Sequence, residues 1–182
     1  YDWTGASSTA WNVAGNWKVG VSTAPTYPGQ SVATDIVRIG TNVNFTTRQP
    51  TLSTGNITVA SITFGINNNN DITLTVNGVT LTVTGDIIQN HGAGSTSNST
   101  TYQTTLAGTG TIYCTGNFQI GNTTGPTTKA VNTTLVSSQI AQLTINGDMA
   151  FNAVGNNTST ATNYPTLNLD KGKITLNGQF TS

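Results

Sequence analysis

The stretch Val79 to Ile88, VTLTVTGDII, decides how the chain is read, because its pattern returns at a fixed interval. Thr84-Gly85-Asp86-Ile87 reappears as Thr115-Gly116-Asn117-Phe118, as Asn146-Gly147-Asp148-Met149 and as Asn177-Gly178-Gln179-Phe180, with the same step from glycine to glycine each time. A weaker copy, Thr54-Gly55-Asn56-Ile57, precedes the first at a step one position shorter. Four residues before the glycine come Leu81, Ile112, Leu143 and Ile174; two before it, Val83, Cys114, Ile145 and Leu176; two after it, Ile87, Phe118, Met149 and Phe180. The columns between are mostly polar: Thr82, Tyr113, Thr144 and Thr175, then Thr84, Thr115, Asn146 and Asn177. Such alternation is that of strands with one buried face.

A period of about 31 residues marks a repeat architecture. If each period is one coil, equivalent residues stack about 4.8 Å apart and the columns become ladders. The expected fold is all-β, a right-handed parallel β-helix (a β-solenoid) with one coil per period. An antiparallel β-sandwich is the alternative, because Val76-Asn77-Gly78-Val79 between alternating strands is a hairpin signal. Constant spacing favours stacked coils, since each side chain must sit on its counterpart, whereas a sandwich tolerates uneven loops. A second short strand is expected eleven residues before the glycine, with Leu74, Val136 and Leu167 in register and the remaining copy slipped at Thr105 and Leu106. Loops rich in Gly, Asn and Thr are expected over His91 to Thr105, Asn122 to Thr134 and Asn152 to Asn163. Residues 1–50 read as an N-terminal cap and first strands. Residues 51–182 read as the repeats, with motif glycines at 55, 85, 116, 147 and 178.

Composition narrows the function classes. Only 7% of the 182 residues are charged, the formal net charge is zero and Glu is absent from the sequence. No basic patch is available to neutralise a phosphate backbone, so nucleic acid is not an expected partner. Val, Ile and Thr crowd the chain between Gly, Asn and Pro, a composition of strands and turns. No apolar run approaches the roughly 20 residues of a membrane span. One cysteine, Cys114, excludes an internal disulfide. The chain starts at Tyr1 rather than Met, as a secreted product does after removal of a signal peptide.

All three tryptophans, Trp3, Trp11 and Trp17, fall in one opening segment of small and polar residues. Two readings follow: they cover one end of the core, which a repeat stack requires, or they form an aromatic platform for sugars. The pattern Trp3-Thr4-Gly5, Ser8-Thr9-x-Trp11-Asn12, Gly15-Asn16-Trp17 resembles the opening of surface-exposed domains in secreted Bacteroidetes proteins. A loop with Pro25 and Pro28, the strand Asp35-Ile36-Val37-Arg38-Ile39 and the repeat LTVNGVTLTVTGDI at Leu74 to Ile87 continue the likeness over most of the chain. The resemblance implies a secreted, adhesin-like β-solenoid of the bacterial cell surface and transfers no catalytic residues.

Chemistry-bearing residues are few. Asp86 and Asp148 share a column with Asn117 between them, which sets them about 10 Å apart by two strand spacings. That is wide even for an inverting pair of carboxylates, and the column Asn56, Asp86, Asn117, Asp148, Gln179 reads better as short polar side chains bonding turn backbone. A calcium site at Asp86 or Asp148 lacks any recognised loop spacing. His91 has no metal-ligating neighbours in sequence, and Cys114 and Met149 occupy inward columns. No catalytic residue, metal or cofactor is expected. Candidate ligand or self-association residues are Trp3, Trp11 and Trp17, together with an outward hydroxyl ladder of Thr82, Thr144 and Thr175 interrupted by Tyr113; surface glycans and ice are the ligands such surfaces suit. The last copy stops at Phe180-Thr181-Ser182 with nothing to cover it. Continuation into further repeats, or self-association through the open C-terminal coil as in a filament, is therefore expected. The function read from the sequence is a non-enzymatic, extracellular structural or adhesive module.

Overall fold

The computed structural model of the protein describes residues 1–43, 47–65, 71–89, 99–121, 130–136, 142–151, 166–168 and 172–181. His91 and the loop expected over Asn152 to Asn163 lie outside them. The strands are β1 (Asp2–Trp3), β2 (Trp17–Val19), β3 (Ser22–Thr23), β4 (Ile36–Ile39), β5 (Thr51–Leu52), β6 (Ile57–Val59), β7 (Ser61–Phe64), β8 (Ile72–Val76), β9 (Thr80–Val83) and β10 (Ile87–Gln89). They continue as β11 (Ser99–Ala107), β12 (Thr111–Cys114), β13 (Phe118–Ile120), β14 (Ala130–Val136), β15 (Gln142–Ile145), β16 (Met149–Phe151), β17 (Thr166–Asn168), β18 (Ile174–Leu176) and β19 (Phe180–Thr181). The only helical turn among the described residues is the 3-10 turn Ala14–Asn16.

Three sheets result. The first runs β19-β16-β13-β10-β7-β4-β1-β2-β3, the second β17-β14-β11-β8-β5 and the third β18-β15-β12-β9-β6. The first is mixed, since β1–β2 and β2–β3 pair antiparallel; every other pairing between named strands is parallel. From Thr51 the chain visits the second, third and first sheets in turn, from β5–β6–β7 through to β17–β18–β19. β8 and β9 lie in different sheets. Val76-Asn77-Gly78-Val79 is thus a corner and not a hairpin, and the antiparallel sandwich falls.

Register explains the repeat. Leu81, Ile112, Leu143 and Ile174 pair in succession in the third sheet, and Ile87, Phe118, Met149 and Phe180 in the first. Alternate residues point inward, and the buried ones form one cluster with the tryptophans. Each buried Leu, Ile or Phe contributes about 2 kcal/mol.

Three expectations are corrected. Ile57 pairs with Leu81 and Ile62 with Ile87, so the first step is several positions shorter than the one from Gly55 to Gly85. Ala60, not Gly55, therefore occupies the place above Gly85, whose N–H donates to the Ala60 carbonyl at 2.7 Å. In the second sheet Leu74 pairs with Leu106, Thr105 with Val136 and Leu135 with Leu167, so Leu74, Val136 and Leu167 do not share a column. Thr104 holds the inward place instead, fully buried and paired with Ile72 on one side and Leu135 on the other. Finally, the loops expected over His91 to Thr105 and Asn122 to Thr134 give way to β11 from Ser99 and β14 from Ala130. Their β-branched runs pair from Ser99 to Thr105, because threonine fits a pleated surface as well as a loop.

The motif itself serves stacking. A Cβ on Gly116 would lie 2.6 Å from the Gly85 carbonyl oxygen, and one on Gly147 2.6 Å from that of Gly116, so close approach of successive strands requires glycine. The next column forms a ladder: Asp86 Oδ1 accepts the Asn117 N–H (2.8 Å), Asn117 Oδ1 the Asp148 N–H (2.8 Å) and Asp148 Oδ1 the Gln179 N–H (2.9 Å). Asn56 is not in this column, since its neighbour Ile57 pairs with Leu81. It makes the same kind of bond elsewhere, accepting the Thr80 N–H at 2.9 Å.

Candidate functional site

Trp3, Trp11 and Trp17 are each 0% exposed. Trp17 lies between the others, its ring centroid 4.9 Å from Trp3 and 4.8 Å from Trp11, at interplanar angles of 76° and 68°. Edge-to-face packing of this kind suits the ring quadrupoles. Each indole N–H donates to a backbone carbonyl: Trp3 to Arg48 (2.8 Å), Trp11 to Pro28 (3.1 Å) and Trp17 to Trp11 (2.6 Å). Rings so enclosed present no face to a sugar. The aromatic platform is not formed, and the tryptophans close the core instead.

The segment around them covers the upper edge of all three sheets. β1 to β3 extend the first sheet. Ala10 bridges Thr51 at the second, where the Thr51 N–H donates to Thr9 (2.7 Å) and the Trp11 N–H to Thr51 (2.8 Å). Gly29 lies against Ile57 and Thr58 at the third, and its N–H donates to Asp35 Oδ2 at 2.8 Å. Sequence reasoning passed over the residue that ties this together. Asn16, fully buried, accepts the N–H groups of Ser7 (2.8 Å) and Ser8 (2.7 Å) on Oδ1 and donates through Nδ2 to Ser8 Oγ (2.9 Å) and the Ala10 carbonyl (2.7 Å). Its signal was an Asn placed directly before Trp17 inside the motif. A Cβ on Gly15 would meet Ser7 Oγ at 2.6 Å, so a larger residue there would displace the Ser7 hydroxyl.

The outward face of the third sheet holds the expected column in order, Thr82, Tyr113, Thr144 and Thr175, and Thr58 precedes it. Two of the hydroxyls, those of Tyr113 and Thr144, are taken up by neighbouring amides. Asn146 Nδ2 donates to the Tyr113 hydroxyl, Gln142 Nε2 to Thr144 Oγ1 at 2.9 Å, and Asn177 Nδ2 to Asn146 Oδ1 at 2.8 Å. Thr144 is only 9% exposed. The face is a hydrogen-bonded polar mat, broken in the middle of the threonine column.

Reactive groups are turned to cohesion. Asp86 and Asp148 accept backbone N–H groups of the next strand, as above. Among the described residues no three of His, Cys, Asp or Glu are grouped to hold a metal ion. Cys114 pairs with Val83 and Ile145, is 0% exposed and has its sulfur 3.4 Å from the Gly85 carbonyl oxygen. Burial pushes its thiol up to about 11 from an ordinary 9.0. The folded state therefore favours the protonated thiol: the resulting stability is intact below pH 9.0 and is lost as the pH climbs through about 11. At pH 8 native Cys114 should react with a soluble disulfide reagent at least about a hundredfold more slowly than in the unfolded chain. Equal labelling rates in native and denatured protein would overturn that placement.

At the edge formed by β17, β18 and β19 the inward columns come into view. Phe180 is 64% exposed, whereas Val37, Ile62, Ile87, Phe118 and Met149 in the same column are 0% or 1%. Phe151 packs on it at 5.9 Å between ring centroids. Among the described residues no helix is long and apolar enough to cross a membrane. No family model matches the chain, and neither a curated protein nor a solved structure matches it.

Proposed function

We propose that the chain is a right-handed parallel β-helix whose three sheets wind about one core, serving as a non-enzymatic structural or adhesive module on a bacterial surface. The observation that carries this reading is the direction of its repeating chemistry: the glycine column, the Asp86–Asn117–Asp148–Gln179 ladder and Cys114 all bond the neighbouring pass of the chain. Such a rod gains rigidity with each added pass, since every repeat is stabilised mainly by its neighbours. With a formal net charge of zero and outward Thr, Asn and Gln, it suits display in a crowded extracellular setting more than selection of a charged ligand. An antibody against the protein should label intact cells of the source bacterium, and protease added outside should remove the label. Labelling confined to lysed cells would defeat the surface assignment.

The edge of β17 to β19 is where the stack is continued, by further repeats of the same polypeptide or by a second copy. The opposite end is covered on all three sheets by residues 1–29. Where the edge of β17 to β19 is left open, association of two copies through it closes at a pair instead of growing head to tail, and sedimentation of the purified protein showing long polymers would contradict this.

A further inference from the structure

The sequence contains three Asn-Gly dipeptides, Asn77-Gly78, Asn146-Gly147 and Asn177-Gly178. Asparagine followed by glycine is the pair most open to spontaneous deamidation, because no side chain hinders attack by the following backbone nitrogen. The structure puts the three in unlike surroundings. Asn146 is held at both ends of its amide, Nδ2 donating to the Tyr113 hydroxyl and Oδ1 accepting from Asn177 Nδ2 at 2.8 Å. The Gly147 nitrogen, which would be the nucleophile, donates to the Gly116 carbonyl at 3.0 Å. Gly178 is hemmed in by the Gly147 carbonyl and by Asp148 Oδ1, which a Cβ would meet at 2.6 Å, and the Asn177 amide is tied to Asn146.

Asn77-Gly78 differs in the freedom of its glycine and of its amide nitrogen, for which no bond is formed among the described residues. Both residues are exposed. Gly78 has a φ of +66° and open space around it, with nothing within 4 Å of where a Cβ would stand. Asn77 Oδ1 accepts the Thr109 N–H at 3.3 Å, so a backbone donor faces the oxygen that gains negative charge when Cγ is attacked. We infer that Asn77 is a self-modifying site, the one Asn-Gly pair that deamidates in the folded protein.

The step is balanced without any co-reactant but water. The Gly78 nitrogen loses its proton to solvent and bonds to Asn77 Cγ. The Cγ–Nδ2 bond breaks, and ammonia leaves with that proton, closing a succinimide ring. Water then opens the ring at either carbonyl, giving aspartate or isoaspartate at position 77. Aspartate preserves the bond from the Thr109 N–H, because Asp71 Oδ1 already accepts the Gln103 N–H (3.0 Å) in the same manner. Isoaspartate does not, for it inserts an extra backbone methylene at the β8–β9 corner. There Asn77 N–H is fixed to the Leu52 carbonyl (2.8 Å) and Gly110 N–H to that of Val76 (2.7 Å). The modification thus adds one negative charge to a chain of net charge zero and splits the population into a sound and a strained form.

The test is incubation of the folded protein in mildly alkaline buffer, followed by digestion and mass spectrometry of the three Asn-Gly peptides. Conversion at Asn77 should run about tenfold or more ahead of Asn146 and Asn177, since those two must first open locally. In denaturant the three rates should converge. An acidic isoform should accumulate in the parent and not in Asn77→Gln. Comparable rates at all three sites in the folded protein, or an inert Asn77 peptide, would overturn the inference.

Discussion

Trp17→Ala should lower the stability of the protein by about 5 kcal/mol, at the top of the range for removing a buried tryptophan. The ring is 0% exposed and packs against both other indoles, at 4.9 and 4.8 Å. Its removal leaves a void between Trp3 and Trp11 that neither can fill, because their N–H groups are fixed to Arg48 and Pro28. It also orphans the Trp11 carbonyl, adding about 1 kcal/mol. Loss of the cap then uncovers β5 and β6, whose free edges invite association. Denaturant unfolding followed by far-ultraviolet circular dichroism measures the loss, and light scattering the aggregation. Val21→Ser, at a site 95% exposed, is the control and should change little. A Trp17→Ala protein with the parent's midpoint would mean that the cap is not part of the cooperative unit.

The stacked columns were legible because a register that repeats in space repeats in sequence: Leu81, Ile112, Leu143 and Ile174 can be aligned by counting, and they pair. Where the step changes, counting fails. Thr54-Gly55-Asn56-Ile57 matches the motif in letters, yet β6 and β7 stand closer in sequence to β9 and β10 than the motif spacing demands, and Ala60 takes the glycine's place. In the second sheet Ile72, Thr104, Leu135 and Leu167 pair in turn at a step that is not constant, so a strand defined by apolar letters alone is misplaced by one where Thr104 points inward. The tryptophans were ambiguous for another reason. An aromatic cap and an aromatic platform require the same residues, and only burial separates them. Asn16 makes the distinction: a fully buried amide with four bonds to its own segment belongs to a closed structure, not to an open site.

Gly147→Ala tests whether the motif glycine is there for space or for conformation, and it should destabilise by about 3 kcal/mol. Gly147 carries no left-handed φ, unlike Gly55 at +71° or Gly78 at +66°. On backbone entropy alone an alanine at such a site would stabilise by up to about 1 kcal/mol. The geometry reverses that sign. The added methyl would meet Asn117 Oδ1 and, at 2.6 Å, the Gly116 carbonyl oxygen. Neither can retreat freely, since Gly116 O accepts the Gly147 N–H at 3.0 Å and Asn117 Oδ1 the Asp148 N–H at 2.8 Å. Relief therefore means prising two passes of the chain apart and losing ladder bonds on both sides. Gly85→Ala should be milder, because its Cβ meets one atom closely, the Ala60 carbonyl oxygen at 2.8 Å, with no Asx side chain beside it. The order of unfolding midpoints, parent above Gly85→Ala above Gly147→Ala, is what close packing requires. A Gly147→Ala protein as stable as the parent would show that successive strands can part at this column, and the regular return of the glycine would then need another cause.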